Sequence, residues 1–279
     1  MGNLADDTVV EGGDGRYQAT LSADWNIWGP NGGYLAAIAL RAAGAHSPQP
    51  RPASLLCHFV GVAEFAPVDL AVTTLRSAKR AESVRVSMTQ QGQPVLEALV
   101  WTVADDLAGI VHDAAPAPGV PAYDDLRPAD ELRPPEAPRF AFWDNIEQRA
   151  VDYVVDWDNR VAAEPEFMGW LRFRPQATFE DPYVDAARLA IVVDTLQWPA
   201  AARGHDGSMD FVAPSLDLAC LFHRPPADEP WLLVRATSPA ADGGLVGGTA
   251  CVWDAAGRLL ASGSQQMLCR PAAPAHRPR

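Results

Sequence analysis

Two polar side chains in the C-terminal half have the types needed to activate a water molecule. Asp217 follows Ser215-Leu216 at the start of an apolar run, and Gln265 lies in another run near the end of the chain. A carboxylate can take a proton from water, and a primary amide can hold that water because it offers both a donor and an acceptor. Taken alone, these residues fit a structural alternative better: Asp217 bonding a turn and Gln265 on an exposed strand face.

The segment Trp28-Gly29-Pro30-Asn31-Gly32-Gly33-Tyr34 is the second stretch with chemical potential. Glycines at a helix N-terminus let a ligand approach closely, and the free N–H groups with the helix dipole favour a growing negative charge. Gly32 and Gly33 are therefore predicted donors to an oxyanion. In the structural alternative, Asn31 only caps the helix and the glycines only permit tight packing. The two roles are compatible.

The elements that position these residues occur twice. In the first half, helical spacing of apolar residues from Leu35 to Ala42 predicts an amphipathic helix over 31–45. Runs rich in β-branched and aromatic residues predict strands at 53–63, 67–76, 82–90 and 94–103.

In the second half, strand-like runs at 150–157 and 167–173 precede another helix. Asp181 can cap this helix, Pro182 suits its first turn, and Pro199 is expected to stop it. The stretch 186–193 is apolar on nearly every side, so we expect the helix to be buried. Further strands are predicted at 215–223, 231–237, 247–253 and 258–268.

The repeated order predicts a duplicated domain. The predicted fold is an α+β double hot-dog, with two tandem antiparallel sheets each wrapped around a central helix. A proline-rich connector divides the chain. The predicted parts are an N-terminal hot-dog at 1–106, a linker at 107–139, a C-terminal hot-dog with the catalytic residues at 140–272, and a tail at 273–279.

Composition and charge narrow the functional classes. The chain has 279 residues and a formal net charge of −13, which argues against nucleic-acid binding because that requires clusters of Lys and Arg. We see neither a signal peptide nor a run that could span a bilayer, so we expect a cytoplasmic protein. The cysteines and histidines lack metal-ligand spacing and no dinucleotide fingerprint occurs, so neither a metal nor an organic cofactor is expected.

Several pieces of the C-terminal half stand in a distinctive order: Ser215-Leu216-Asp217, Phe222-His223-Arg224-Pro225, Trp231-Leu232-Leu233, the run 257–262, and Gln265. Together with Gly32-Gly33, this order resembles the type II acyl-CoA thioesterase family. The resemblance implies an enzyme of fatty acid metabolism that hydrolyses acyl-CoA to free acid and CoA, with acyl-CoA as its small-molecule partner.

The resemblance also implies roles for individual residues. Asp217 would be the general base and Gln265 would hold the water. The family places a hydroxyl residue after the Trp-Leu-Leu strand, but an ungapped match puts Pro239 there, so Ser238 or Thr237 would have to substitute. If Asp217 is not the base, Asp194 on the buried second helix is the next candidate.

The duplication is asymmetric at the predicted site. The counterpart of Asp217 in the first half is Leu56 and that of Gln265 is Val100, and neither side chain can accept a proton. We therefore predict one site per chain, near the boundary between the halves.

Two other functions stay open at this stage. A double hot-dog hydratase or dehydratase would need a His/Asp pair beside a helix, and that spacing is not found. A non-catalytic acyl or lipid binder would explain the displaced hydroxyl at Pro239. The sequence does not set the acyl group or the oligomeric state, and a homo-oligomer is one option.

Overall fold

The computed structural model describes residues 1–137, 139–207, 210–226 and 228–272. The predicted tail at 273–279 lies outside the described residues. None of the described helices is both long enough and apolar enough to cross a membrane.

The first half places one long helix between strands of an antiparallel sheet. Its elements are α1 (Leu4–Asp7), β1 (Glu11–Gly13), β2 (Arg16–Thr20), α2 (Gly32–His46), β3 (Arg51–Phe59), β4 (Pro67–Ala78), β5 (Ala81–Gln90) and β6 (Gln93–Val103). The predicted helix and the four predicted strands are confirmed, with ends shifted by a few residues.

The second half repeats this plan after a connector whose described residues form a short helix, α3 (Ala129–Leu132), and short 3₁₀ turns. Its elements are β7 (Ile146–Ala150), β8 (Glu166–Phe173), α4 (Pro182–Thr195), α5 (Gln197–Arg203), β9 (Phe211–Val212), β10 (Asp217–Phe222), β11 (Leu232–Asp242), β12 (Leu245–Trp253), β13 (Leu259–Leu268) and β14 (Arg270–Pro271).

Two details of the second half were wrongly predicted. The strand expected at 150–157 ends at Ala150, and Asp156 beyond it accepts from the backbone N–H groups of Asp158 and Asn159, which forms a turn. Pro199 does not stop α4. It lies in the first turn of α5, where a residue without an N–H breaks no helical hydrogen bond.

The two sheets join into one. Twelve strands follow the order β1-β2-β4-β5-β6-β3-β10-β13-β12-β11-β8-β7, and each half of this order mirrors the other about the β3–β10 pair. All the neighbouring strands are antiparallel, and His58 of β3 lies opposite Asp217 of β10. The fold is the predicted double hot-dog.

The helices α2 and α4 lie in the core and run antiparallel. The start of α2 packs on the end of α4, because a Cβ added to Gly33 would lie 2.7 Å from the Ile191 Cα. The end of α2 packs on the start of α4, where Gly44 contacts the Tyr183 ring. Ten of the 15 residues of α2 and 12 of the 14 residues of α4 are buried, which confirms the expectation for α4. Helices without a polar face need such complete cover.

The connector packs against the outer face of the second half. Indole N–H groups of Trp253 and Trp170 donate to the carbonyl oxygens of Ala115 (2.7 Å) and Pro121 (3.0 Å), and Tyr123 stacks on Trp231 with ring centroids 4.8 Å apart. The connector therefore covers this aromatic cluster on the outer face of the sheet. The opposite face, which contacts α2 and α4, is where we look for a site.

Candidate active site

The carboxylate of Asp194 is the centre of a polar cluster between the two halves. It lies near the end of α4 with 6% of the residue exposed. The Gly33 N–H donates to its Oδ2 at 2.7 Å, the Asn31 amide donates to the same oxygen at 3.3 Å, and the Ser215 hydroxyl donates to Oδ1 at 3.2 Å. The N-terminus of α2 thus holds an acid supplied by the other half.

Burial changes the acidity of this group. Loss of hydration raises the pKa of Asp194 from 3.8 to about 6, and the bonds from Gly33, Ser215 and Asn31 act in the opposite direction by stabilising the anion. With that pKa the side chain is mostly ionised at pH 7, yet more basic than an exposed carboxylate. These are the properties of a general base that works near neutral pH.

Ser215 and Gln265 complete the cluster. The Ser215 hydroxyl lies 3.0 Å from the Gln265 Oε1, and the Gln265 Nε2 donates to the backbone carbonyl of Asp194 at 3.0 Å. Because that carbonyl can only accept, the amide nitrogen must face it and the amide oxygen must face Ser215. Ser215 has a single hydroxyl proton, so it can satisfy Asp194 or Gln265 at any moment but not both.

A β-bulge brings Ser215 to this face of the sheet. Ala219 lies opposite Ser264, whereas Ser215 lies opposite Met267, so four steps along one strand match three along the other. The extra residue, Leu216, is 39% exposed. Bulges re-aim side chains in this way near functional sites, and here strict alternation would have placed Ser215 on the outer face.

Asp217 is not brought into the cluster. Its neighbour Leu218 is fully buried against the helices, so Asp217 belongs to the opposite, outer face of the sheet. Its Oδ1 accepts the backbone N–H of Gln266 at 2.9 Å. The carboxylate therefore bonds an amide of the facing strand at the bulge, which is close to the structural alternative described for this residue.

Thr237 and Ser238 also lie apart from the cluster. They belong to β11, which is separated from Gln265 on β13 by the whole of β12. Thr237 bonds the Thr249 hydroxyl at 2.9 Å, and Ser238 donates to the Gly247 carbonyl at 2.9 Å. Among the described residues, the hydroxyl that contacts both Asp194 and Gln265 is that of Ser215.

The predicted glycine segment meets the cluster directly. Asn31 caps α2 by accepting the Tyr34 N–H at 3.0 Å while its amide reaches Asp194. The Gly33 N–H is taken up by Asp194. Gly32 lies beside both carboxylate oxygens of Asp194, because a Cβ added to this glycine would be 3.2 Å from each. Gly32 is the first residue of α2, so its N–H has no acceptor within the helix. Of the two glycines, Gly32 has the donor free for an oxyanion.

The equivalent positions at the other end of the helix pair hold different residues. Counted from the first residue of each helix, Asp194 corresponds to Gly44 and Gly33 to Tyr183. The Tyr183 ring packs on Gly44, and the counterpart of Gln265 is the buried Val100. This asymmetry agrees with one site per chain.

Fold and site together define a double hot-dog protein with a buried acid held between its halves. A family model described as the acyl-CoA thioesterase C-terminal domain matches residues 120–269, and the corresponding N-terminal domain model matches residues 21–103. The chain belongs to this acyl-CoA thioesterase family.

Solved structures share the fold over the full length. A candidate thioesterase II from Thermobifida fusca YX has 26% identity and a TM-score of 0.81, covering 97% of this chain and 98% of its own. The acyl-CoA thioesterase II TesB2 from Mycobacterium marinum has 22% identity and a TM-score of 0.77, covering 97% and 99%. A hot-dog protein from Alicyclobacillus acidocaldarius has 20% identity and a TM-score of 0.82, covering 97% and 98%. No curated protein matches the sequence.

Proposed function

We propose that the protein hydrolyses acyl-CoA to a free acid and CoA, with Asp194, and not Asp217, as the general base. The observation that carries this assignment is the buried carboxylate of Asp194, held by the start of α2 and beside Ser215 and Gln265. Family membership supports the substrate class, since both domain models are those of acyl-CoA thioesterases.

The reaction needs a proton acceptor, a means to orient water, and a donor for the carbonyl oxygen. Asp194 takes the proton as the water oxygen attacks the thioester carbon. Ser215 and Gln265 hold that water. The Ser215 hydroxyl has one proton and contacts two acceptors, Asp194 and Gln265, so the acceptor that does not receive this proton is free to bind the water. The Gly32 N–H, with the positive end of the α2 dipole, receives the negative charge on the carbonyl oxygen. Collapse of the tetrahedral intermediate breaks the carbon–sulfur bond, and Asp194 returns the proton that it took from water to the departing sulfur, so that CoA leaves as the thiol and the base is regenerated.

Release of free thiol tests this proposal. The purified protein is mixed with acyl-CoAs of increasing chain length, and CoA is followed with a thiol-reactive dye. We expect turnover on at least one member of the series. Binding of every acyl-CoA without thiol release would overturn the hydrolase assignment in favour of a non-catalytic binder. The structure weakens that alternative, because Ser215 supplies the hydroxyl whose displacement had suggested it.

A further inference from the structure

Phe59 is the last residue of β3 and lies beside the proposed site. The residues before it on the same face of the strand, Leu55 and Cys57, are each 1% exposed, whereas Phe59 is partly exposed while it packs against the core. Its backbone N–H donates to the Leu216 carbonyl at 3.0 Å, so the bulge that brings Ser215 to the site also holds this residue. Phe59 is therefore the outermost of the β3 side chains that face the helices.

The tip of the Phe59 ring reaches the start of α2. A Cβ added to Gly32 would lie 3.1 Å from the Phe59 Cζ and 3.2 Å from each carboxylate oxygen of Asp194. Because these atoms surround one point, the ring tip and the carboxylate lie close together on the same side of Gly32. The ring thus contacts the site between the proposed base and the glycine whose N–H is assigned to the carbonyl oxygen.

The other groups around Asp194 carry no charge. In the described part of the chain, the groups that hydrogen-bond this residue are those of Asn31, Gly33, Ser215 and Gln265. The titratable group that interacts with it from β3 is the Cys57 thiol. Burial first, and then the Asp194 charge, raises the pKa of this thiol well above its ordinary value, so it stays neutral. Among the described residues no charged side chain contributes to the pKa of Asp194, and shielding from water decides its strength as a base.

An aromatic ring beside a carboxylate changes its basicity in one direction. The ring occupies space in which water would otherwise hydrate the anion, and it offers no hydrogen bond in exchange. If the ring is removed, water enters, stabilises the anion and makes it a weaker base. A weaker base takes a proton from the attacking water less readily. The partly exposed position of Phe59 is where this water would enter.

We propose that the Phe59 ring covers the site and, by keeping solvent water from the Asp194 carboxylate, makes it a stronger base. The inference rests on the proposed hydrolysis, in which Asp194 takes the proton, and deepens it. Phe59 is then a positioning residue, because it contributes no group to the reaction and acts through Asp194.

The pH profile of Phe59→Ala tests this cover. With a pKa of about 6 for Asp194, the wild-type protein should keep about 10% of its pH 8 kcat/KM at pH 5. Loss of half the effect of burial would move the acid limb down by about one pH unit, so that about half of the pH 8 value remains at pH 5. The ratio of kcat/KM at pH 5 to that at pH 8 should therefore rise about 5-fold, whatever the loss in absolute rate.

Two further variants separate the cover from general damage. Phe59→Leu keeps an apolar side chain at the position and should keep the acid limb near that of the wild type. The matched control is Phe65→Ala, which removes an aromatic ring that is 37% exposed on the loop after β3, and it should leave the ratio unchanged. If Phe59→Ala does not fold, Phe59→Gln takes its place, because its side chain fills the space and water can hydrate it. An acid limb that does not move in the Phe59 variant, or that moves equally in Phe65→Ala, would overturn the cover.

Thermal unfolding follows the same carboxylate without turnover. At pH 8 the ionised Asp194 costs stability in proportion to its shielding. Asp194→Asn should therefore raise Tm by about 5 °C in the wild-type background and by about half as much in the Phe59→Ala background. An equal rise in both backgrounds would overturn the cover. Thiol release from no acyl-CoA, with the smaller rise in the Phe59→Ala background intact, would count against the proposed hydrolysis and not against the cover.

Discussion

Asp194→Asn should make the protein inactive and more stable at the same time. The asparagine keeps the shape of the site. Its Oδ1 can accept from both Gly33 and Asn31, which already share one carboxylate oxygen, and its Nδ2 can donate to the Ser215 hydroxyl, which then acts as an acceptor. Only the proton acceptor is lost, and turnover should fall by a factor of about 10² to 10⁴.

The gain in stability follows from the raised pKa of Asp194. The folded protein holds this carboxyl with a pKa of about 6 against an ordinary 3.8, so ionising it costs folding free energy wherever the pH exceeds both values. A difference of about two units corresponds to about 3 kcal/mol. For a chain of this size, that is a rise of about 5 °C in Tm. The cost disappears as the pH falls below 4, where the carboxyl is protonated in both states.

The assay pairs thiol release with thermal unfolding. Wild type and Asp194→Asn are melted at pH 8 and pH 5, and the advantage of the variant should shrink at pH 5. Asp217→Asn is the matched control, because the asparagine oxygen can still accept the Gln266 N–H. It should change neither turnover nor Tm appreciably. Near-normal turnover in Asp194→Asn, or its loss in Asp217→Asn, would refute the assignment of the base.

Further outcomes follow from the same cluster. The pH dependence of kcat/KM should show an acid limb near 6, because Asp194 must be ionised to accept a proton; a flat profile between pH 5 and 8 would contradict this. Gly33→Ala should lower the free energy of unfolding by about 1–3 kcal/mol, measured in urea, since its Cβ would lie 2.7 Å from the Ile191 Cα; unchanged stability would show that the helices separate easily. Ser215→Ala and Gln265→Ala should each reduce kcat less than Asp194→Asn, because they orient water and take no proton; an equal loss would point to a larger role.

Local patterns were sufficient for much of the fold. Apolar periodicity predicted the helix at 31–45 and the four strands after it, and the repeated order predicted the duplication. The sequence also singled out Gln265 and the glycine segment, which the structure brings to the Asp194 cluster. Their residue types, an amide that can hold water and a helix start with free N–H groups, can be recognised without a structure. These features depend on neighbours in the sequence.

The proposed base depends on contacts that no local pattern contains. Asp194 was only the second candidate in the sequence, and it moves ahead of Asp217 when Gly33, 161 residues away, is placed against it. Its signal in the sequence was an acid at the end of an otherwise apolar helix. Strict alternation along the strand would place Ser215 and Asp217 on one face, whereas the bulge at Leu216 separates them. A bulge is set by pairing with a distant strand, here β13.

Joining both halves in one chain has removed a constraint that symmetry would impose. In a dimer of identical single hot-dogs, each substitution occurs at both ends of the helix pair, so a residue suited to one end must be tolerated at the other. Here one end holds Gly33 against Asp194, and the other holds Tyr183 against Gly44, where the tyrosine hydroxyl donates to the Gln49 carbonyl at 2.7 Å. One end of the pair is free to specialise in chemistry while the other specialises in holding the helices together.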